Sequence, residues 1–484
     1  VLLSGSSFTD AKLQDAFFTK TNYRGAIDPA NDWTTCWCKW DPQSEDYSKG
    51  VDYTATADFT ATVNSAAVTV VNNSTNATSY EWNFGDPNST NDVFTTKTPA
   101  AYSYTANGTY NIVLTVRNGN CPPKTIQKTV QITSFTSPTV VVAGDITSNT
   151  NWTNDKIYEL KNFVYVTNNS TLTIEKGTII KGDSATKGTL IVTRGSKLIA
   201  NGTKTEPIVF TTNQPAGSRV RGSWGGVVLL GKAKINVAGG ETVVEGGLDP
   251  VKGLYGGSDD ADNSGSLQYV RIEYAGIPFQ PDQEINGLTL GGVGSGTTLD
   301  YVMVTESNDD SYEWFGGTVN AKHMIANRGW DDDFDCDFGY TGKIQFGIVL
   351  RDPAIADQGS KSSSAFEHDN DGGGSTNIPQ TAPIFSNITV VGPMATNGST
   401  INPNYVRAAQ LRRNSATSIF NSAIVGYPTG IYIDGTASGQ NAQNGLMGFK
   451  NNIVSASKVN FESKTAFDIN TWFKTPGFNN DTLI

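Results

Sequence analysis

The sequence predicts an all-β protein, a β-sandwich followed by a long β-solenoid, and three observations carry that expectation. Short β-branched runs broken by Gly, Asn or Asp recur along the 484 residues, which is the pattern of strands separated by turns. Stretches with a 3.6-residue apolar period are few, and strong helix formers are scarce. From about residue 138 the strands return at loosely regular intervals of roughly 20–35 residues, as in a coil whose rungs stack.

Composition narrows the function. With 46 acidic against 35 basic residues the net charge is −11, which argues against nucleic acid and anionic membranes as partners and suits divalent cations. No apolar run is long enough to span a bilayer, and no signal peptide is visible. The chain opens at Val1, as expected of a processed chain or a fragment. Low Lys, high Asn and Thr and frequent aromatics fit an extracellular surface. Four Cys in a chain of this length make no disulfide framework.

Three regions separate: an aromatic-rich segment over 1–50, a strand-rich module over 51–134, and the solenoid over 135–484. In the middle region, "YEWNFGD" (80–86) alternates Trp82 and Phe84 with polar neighbours, so one face enters a core. "ANGT" (106–109) reads as a hairpin turn. "SFTSPT" (134–139) reads as a linker. Tyr80, Trp82, Phe84, Gly85 and Asp86, followed by "YSYTANGTYNIVLTV", resemble a PKD domain. The resemblance implies an immunoglobulin-like β-sandwich acting as spacer or binding module. Pro87 stands where that family usually has Gly.

The solenoid repeats short aliphatic strands with inward residues at alternate positions: "LQYVRIEYAG", "LDYVMVTESND", "AKHMIANRGWDD", "FSNITVVGP", "IFNSAIVGY". Absent helices and Gly-rich corners predict a parallel β-helix. "GSWGGVVLLGKAKIN", "DDSYEWFGGTVNAKH", "GWDDDFDCDFGYTGKIQFG" and "LRDPAIADQ" resemble secreted β-helix proteins of Bacteroidota type, often exported by the type IX route. The resemblance implies a right-handed parallel β-helix and an extracellular or cell-surface location, with little chemistry. In that family, segments like "SGSSFTDAKLQDAFFTKTNYRGAIDPANDWTTCWCKWDPQ" follow the last rungs. Here that segment comes first. This order implies one period of a longer tandem protein, or docking of residues 1–48 on the β-helix of a neighbouring molecule. Phe17, Phe18, Tyr23, Trp33, Trp37 and Trp40 are the expected anchors, and copies of the chain joined head to tail into a filament are the expected partners. The plain alternative is that the segment folds back on its own β-helix.

The sharpest polar feature is "GWDDDFDCDFG" (329–339). At strand spacing Asp331, Asp333, Asp335 and Asp337 share one face and Phe334, Cys336 and Phe338 the other. A ladder of carboxylates is repulsive unless a cation neutralises it. Asp309, Asp310 and Glu313, with Glu367, Asp369 and Asp371, are expected on neighbouring rungs. Hard oxygen ligands in a Gly-containing loop point to Ca²⁺. The alternative is a solvated acidic loop paired with Arg328 or Arg351.

Paired carboxylates beside Arg351 or Lys343 could also cleave a polysaccharide. No lyase or hydrolase motif, nucleophile elbow or phosphate loop accompanies them, and fold alone does not give function. The expectation is a non-enzymatic structural protein, the rival a cell-surface polysaccharide-binding or -cleaving one. His323 and His368, distant in sequence, read as structural. Cys36 and Cys38 are too constrained to bond each other in a strand and make a poor zinc site. The resemblance puts Gly- or Thr-like residues at their positions, and Cys336 also departs from it. Either Cys36 or Cys38 is therefore expected to cross-link with a distant Cys, with Cys121 and Cys336 as candidates. Buried free thiols are the alternative. Ser184 in "DSA" and Thr482 in "DTL" resemble the O-glycosylation sequon of such bacteria, and bare loops would explain them equally.

Overall fold

A computed structural model describes residues 4–482, apart from 29–31, 49, 51–53, 65–66, 87–88, 104–109, 120, 128–138, 281–282, 360–361 and 457. Pro87, the hairpin turn at 106–109 and most of the linker therefore lie outside the described residues.

Alternation in the first module produces a sandwich. Phe59–Asn64, Ala67–Asn72 and Tyr102–Ser103 form one antiparallel sheet. Val93–Phe94, Ser79–Asn83, Val113–Arg117 and Lys124–Ile126 form the other. Within Ser79–Asn83 only Trp82 is buried. It packs with Phe59, Val70, Phe84, Leu114 and Val116. Its indole N–H donates to the Thr96 carbonyl at 3.1 Å, as a buried indole requires.

The solenoid is a parallel β-helix. One parallel sheet of ten strands runs from Phe163–Val166 to Val459–Ser463. A second parallel sheet of 16 strands is folded along its length. In early rungs this second sheet is built from separate strands, such as Lys197–Asn201 and Ile208–Thr212. Both pair with the single longer strand Gly265–Glu273. The crease falls at one residue per rung. Tyr269, Tyr301, His323, Phe346, Asn387 and Asn421 have φ of 50°, 56°, 51°, 66°, 59° and 54°. The left-handed region costs an L-residue roughly 1–2 kcal/mol. Asn tolerates it best and aromatics poorly, so the packing around the aromatic members must hold them there.

Inside the coil, register stacks like on like. Tyr312, Phe334 and Phe366 are successive cross-strand partners, with ring centroids 5.7 and 5.8 Å apart. The last rung is covered by the chain itself. In the short helix Ile469–Phe473, Phe473 lies 4.0 Å from Phe461 and 5.6 Å from Phe449. The short turn after the last strand thus lays an apolar lid over the final rung.

Rungs approach most closely where glycine stands. Gly265 has φ of 117°, and a Cβ there would lie 2.0 Å from the Leu198 carbonyl oxygen. Gly265→Ala is expected to lower the melting temperature clearly. Gly398→Ala, in open space at ordinary φ, should leave it unchanged. Parallel thermal melts check the pair.

Candidate functional site

The outer face of the ten-stranded sheet carries a carboxylate ladder set by register. Glu313 on Tyr312–Phe315 faces Asp335 on Phe334–Asp337, and Asp335 faces Glu367 on Phe366–His368. Their neighbours along each strand alternate inward, since Phe334 and Cys336 are buried. The turns entering these strands add Asp309, Asp310, Asp331 and Asp332. Carboxylate oxygens of Asp309, Asp310 and Asp331 lie within 4.8 Å of one another, as do those of Asp310, Glu313 and Asp335. Asp310 belongs to both groups.

Electrostatics make this cluster costly without a counter-charge. Burial, and then Asp331, Glu284 and Glu245, push the Asp309 carboxyl well above the usual range. Burial, then Asp309, Asp332 and Asp331, do the same to Asp310. Burial with Glu245 and Asp335 raises Glu313, and burial with Asp310 and Glu367 raises Asp335. The basic side chains nearby are engaged at its margins. Arg412 pairs with Asp369 at 2.9 Å and also with Glu367, and Arg413 pairs with Asp369 at 2.6 Å. Asp309, Asp310, Glu313, Asp331 and Asp335 therefore offer the hard, clustered oxygens that Ca²⁺ takes.

Some expected ligands are elsewhere. Asp331 and Asp333 precede the strand, so the four-member alternating face does not form. Asp333 turns inward to a fully buried ion pair with Arg351 at 2.7 Å, and burial still raises its carboxyl to about 7. Asp337 stays on the outer face beyond Asp335, likewise raised to about 7 chiefly by burial. Asp369 is held by arginines. Asp371 closes its own turn by accepting from the Gly373 and Ser375 N–H groups.

The described residues among the first fifty lie on the β-helix of their own chain, as in the plain alternative to docking on a neighbouring molecule. They run against the stacking order, so one segment reaches from the last rungs to the early ones. Ser7 N–H donates to Asn421 at 2.9 Å and Asp10 pairs with Lys450 at 2.5 Å. Thr19 exchanges two hydrogen bonds with Gln345, at 2.9 and 2.8 Å. Asn387 donates to the Tyr23 carbonyl at 3.2 Å. Arg219 donates to the carbonyls of Pro42 and Glu45 at 2.8 and 2.6 Å. Tyr47 donates to Glu273 at 2.5 Å.

The anchors divide. Tyr23, Trp33 and Trp37 are buried with Met303, Ile325, Phe346 and Ile348. Phe18 is buried with Phe8, Leu13 and Phe420, with Phe17 beside them. Trp40 is exposed; its carbonyl accepts from Asn327 at 2.9 Å. Beneath this strap the crease forms an aromatic ladder. Tyr269 to Tyr301, Tyr301 to His323 and His323 to Phe346 stack at 4.2, 4.1 and 5.0 Å. Trp37 meets Tyr269 and Tyr301 edge-on at 5.7 and 5.6 Å.

Cys36 and Cys121 form a disulfide that ties the strap to the sandwich. Cys36 and Cys38 do not share a face. Cys36, at φ 80° in a turn, enters a cluster with Tyr47, Ile157 and Ile179, while Cys38 sits among the strap tryptophans. Cys38 and Cys336 are free thiols. Ser184 and Thr482 are both half-buried.

Fold and sites define an extended parallel β-helix with an immunoglobulin-like module at its front and an acidic cluster on its flank. Residues 144–482 match the model of the pectate-lyase-like β-helix domain, and the chain belongs to that family. Residues 51–133 match the PKD domain. No curated protein and no solved structure gives a significant match. The family's fold includes enzymes, and both domain types are typical of extracellular proteins. Among the described residues no helix is long and apolar enough to cross a membrane.

Two outcomes follow. Asp333 and Asp337, raised by folding to about 7, bind protons in the native state that the unfolded chain has released, so their contribution to stability must fall as pH rises from about 4 towards about 7. With divalent ions chelated, the melting temperature is expected to fall across that window, and millimolar Ca²⁺ to restore it by mass action. Calorimetry at stepped pH, with and without Ca²⁺, checks this. Trp37→Ala removes a fully buried ring from the strap and is expected to cost about 3–5 kcal/mol, read by chemical denaturation.

Proposed function

We propose that this chain is an extracellular, non-catalytic β-helix module that binds at polysaccharide-bearing surfaces, its rungs braced by Ca²⁺ held between Asp309, Asp310, Glu313, Asp331 and Asp335. The engagement of the basic groups carries the non-catalytic reading. A lyase needs a base or cation free to meet substrate beside its carboxylates. Arg351 is wholly buried against Asp333, and Lys343 is tied to Asp15 of the strap at 2.8 Å. His368 is buried and held neutral, its pKa lowered to about 3 by burial.

The disulfide supports an oxidising, extracellular setting, and the resemblance to type IX substrates agrees with it. Glycans are the partners in this reading. The described residues among the chain's first fifty cover part of its own β-helix.

Co-sedimentation with insoluble polysaccharides, combined with an assay for new reducing or unsaturated chain ends, tests the reading. Retention without new ends is the expected result. Chain cleavage would overturn the non-catalytic assignment, and no retention on any matrix would overturn glycan binding.

A further inference from the structure

A cavity of about 660 Å³ opens between the strap and the aromatic ladder. Its inner surface is formed by Tyr23, Trp33, Tyr301, His323 and Phe346, and its rim by Thr19, Lys20, Asn22 and Asp28. Lys20 and Asn22 are exposed. The cavity lies on the creased sheet, away from the carboxylate ladder, and no residue of the acidic cluster lines it.

His323 gives this cavity direction. Its Nδ1 stands 2.6 Å from the Asp300 carboxylate. An ionised carboxylate only accepts, so in the neutral ring Nδ1 carries the proton and Nε2 presents a lone pair. Among the described residues nothing bonds to Nε2. The ring cannot swing away, being stacked between Tyr301 and Phe346 with Trp33 edge-on at 4.8 Å.

The wall chemistry selects the ligand. An alkyl chain would offer no hydrogen bond to Lys20, Asn22 or Nε2. An anion would meet the Asp28 carboxylate and the Nε2 lone pair. A cation would meet Lys20. A sugar ring has C–H surfaces for the aromatic side, hydroxyls that can donate to Nε2 and Asp28, and oxygens that can accept from Lys20 and Asn22. The volume is that of an ordinary small-molecule site, suited to one or two rings and not to a long chain.

We propose that this cavity is a glycan-binding site that takes the end of a neutral saccharide, with His323 Nε2 accepting a hydroxyl proton and Lys20, Asn22 and Asp28 holding the ring's other oxygens. The site deepens the glycan-binding reading above and rests on it. Asp300 is a positioning residue, acting through the tautomer of His323.

The test is saturation-transfer NMR on the full chain with methyl glucopyranoside, galactopyranoside, mannopyranoside and glucuronate as probes. Transfer to a neutral pyranoside is expected. His323→Phe keeps the stack and removes the acceptor, and should weaken binding roughly three- to tenfold, as for one neutral hydrogen bond. If His323→Phe lowers the melting temperature, the exposed rim pair Lys20→Ala with Asn22→Ala replaces it and should weaken binding likewise. No transfer from any probe, transfer from glucuronate alone, or equal transfer with all variants would overturn the site. The same preparations are then sedimented with insoluble polysaccharides. Retention of wild type and variants alike removes the cavity and leaves the glycan-binding reading standing; retention of none removes both.

Discussion

Parallel stacking in register is the constraint on which this structure depends. In a coil of parallel rungs, a residue stands about 4.8 Å from its counterpart above and below. Whatever chemistry occupies one position is therefore repeated as a column. Tyr312, Phe334 and Phe366 make an interior column of rings. One residue further along each strand, Glu313, Asp335 and Glu367 make an outer column of acids. The first column stabilises the coil by burial. The second is repulsive by construction, and its neutralisation becomes a structural requirement.

The crease of the second sheet follows the same rule. Aromatic residues occupy the left-handed position from Tyr269 to Phe346, and asparagines occupy it at Asn387 and Asn421. This change of residue type matches what lies above it. Trp33 and Trp37 cover the aromatic part. Residues 7–25 cover the asparagine part, where Asn387 and Asn421 meet the strap's backbone. The strap thus reads the column beneath it: rings where the column is rings, main-chain hydrogen bonds where it is amides. The cavity opens where the two halves meet, beside His323 and Phe346.

Much of the fold was legible because period-two alternation survives in single segments. Trp82 and Phe84 in "YEWNFGD" mark a sandwich strand without any partner being known. The short aliphatic strands likewise mark rungs. The site was legible in composition and not in arrangement. The acidic residues stand out, but which of them meet depends on the register between rungs, and irregular rung lengths hide it. Asp333 illustrates the loss: strand spacing places it with Asp335, yet it precedes the strand and turns inward to Arg351. His323 looked like an isolated histidine because Tyr301 and Phe346 become its neighbours only through stacking. Nothing in the sequence marks an aromatic residue as left-handed. The anchors in the first fifty residues were visible, but apolarity alone does not say whose surface they cover.

The acidic column and the aromatic ladder belong to the same turns of the coil. Glu313 and Asp335 lie on the ten-stranded sheet, and Tyr301, His323 and Phe346 on the creased one, all between residues 300 and 350. Tyr312 joins the two faces through the interior. Adjacent to Glu313 but pointing inward, its hydroxyl lies 2.8 Å from the Val302 carbonyl and 2.7 Å from that of Ile325. Those carbonyls belong to the strands that carry Tyr301 and His323. Close-packed interiors have few voids, so the acids on the outer face and the strands that shape the cavity floor belong to one packed set of rungs. A cation between Asp310, Glu313 and Asp335 would offset their repulsion where it arises. The same rungs thus carry the acidic column on one face and, on the other, the aromatic ladder in its unfavourable backbone conformation.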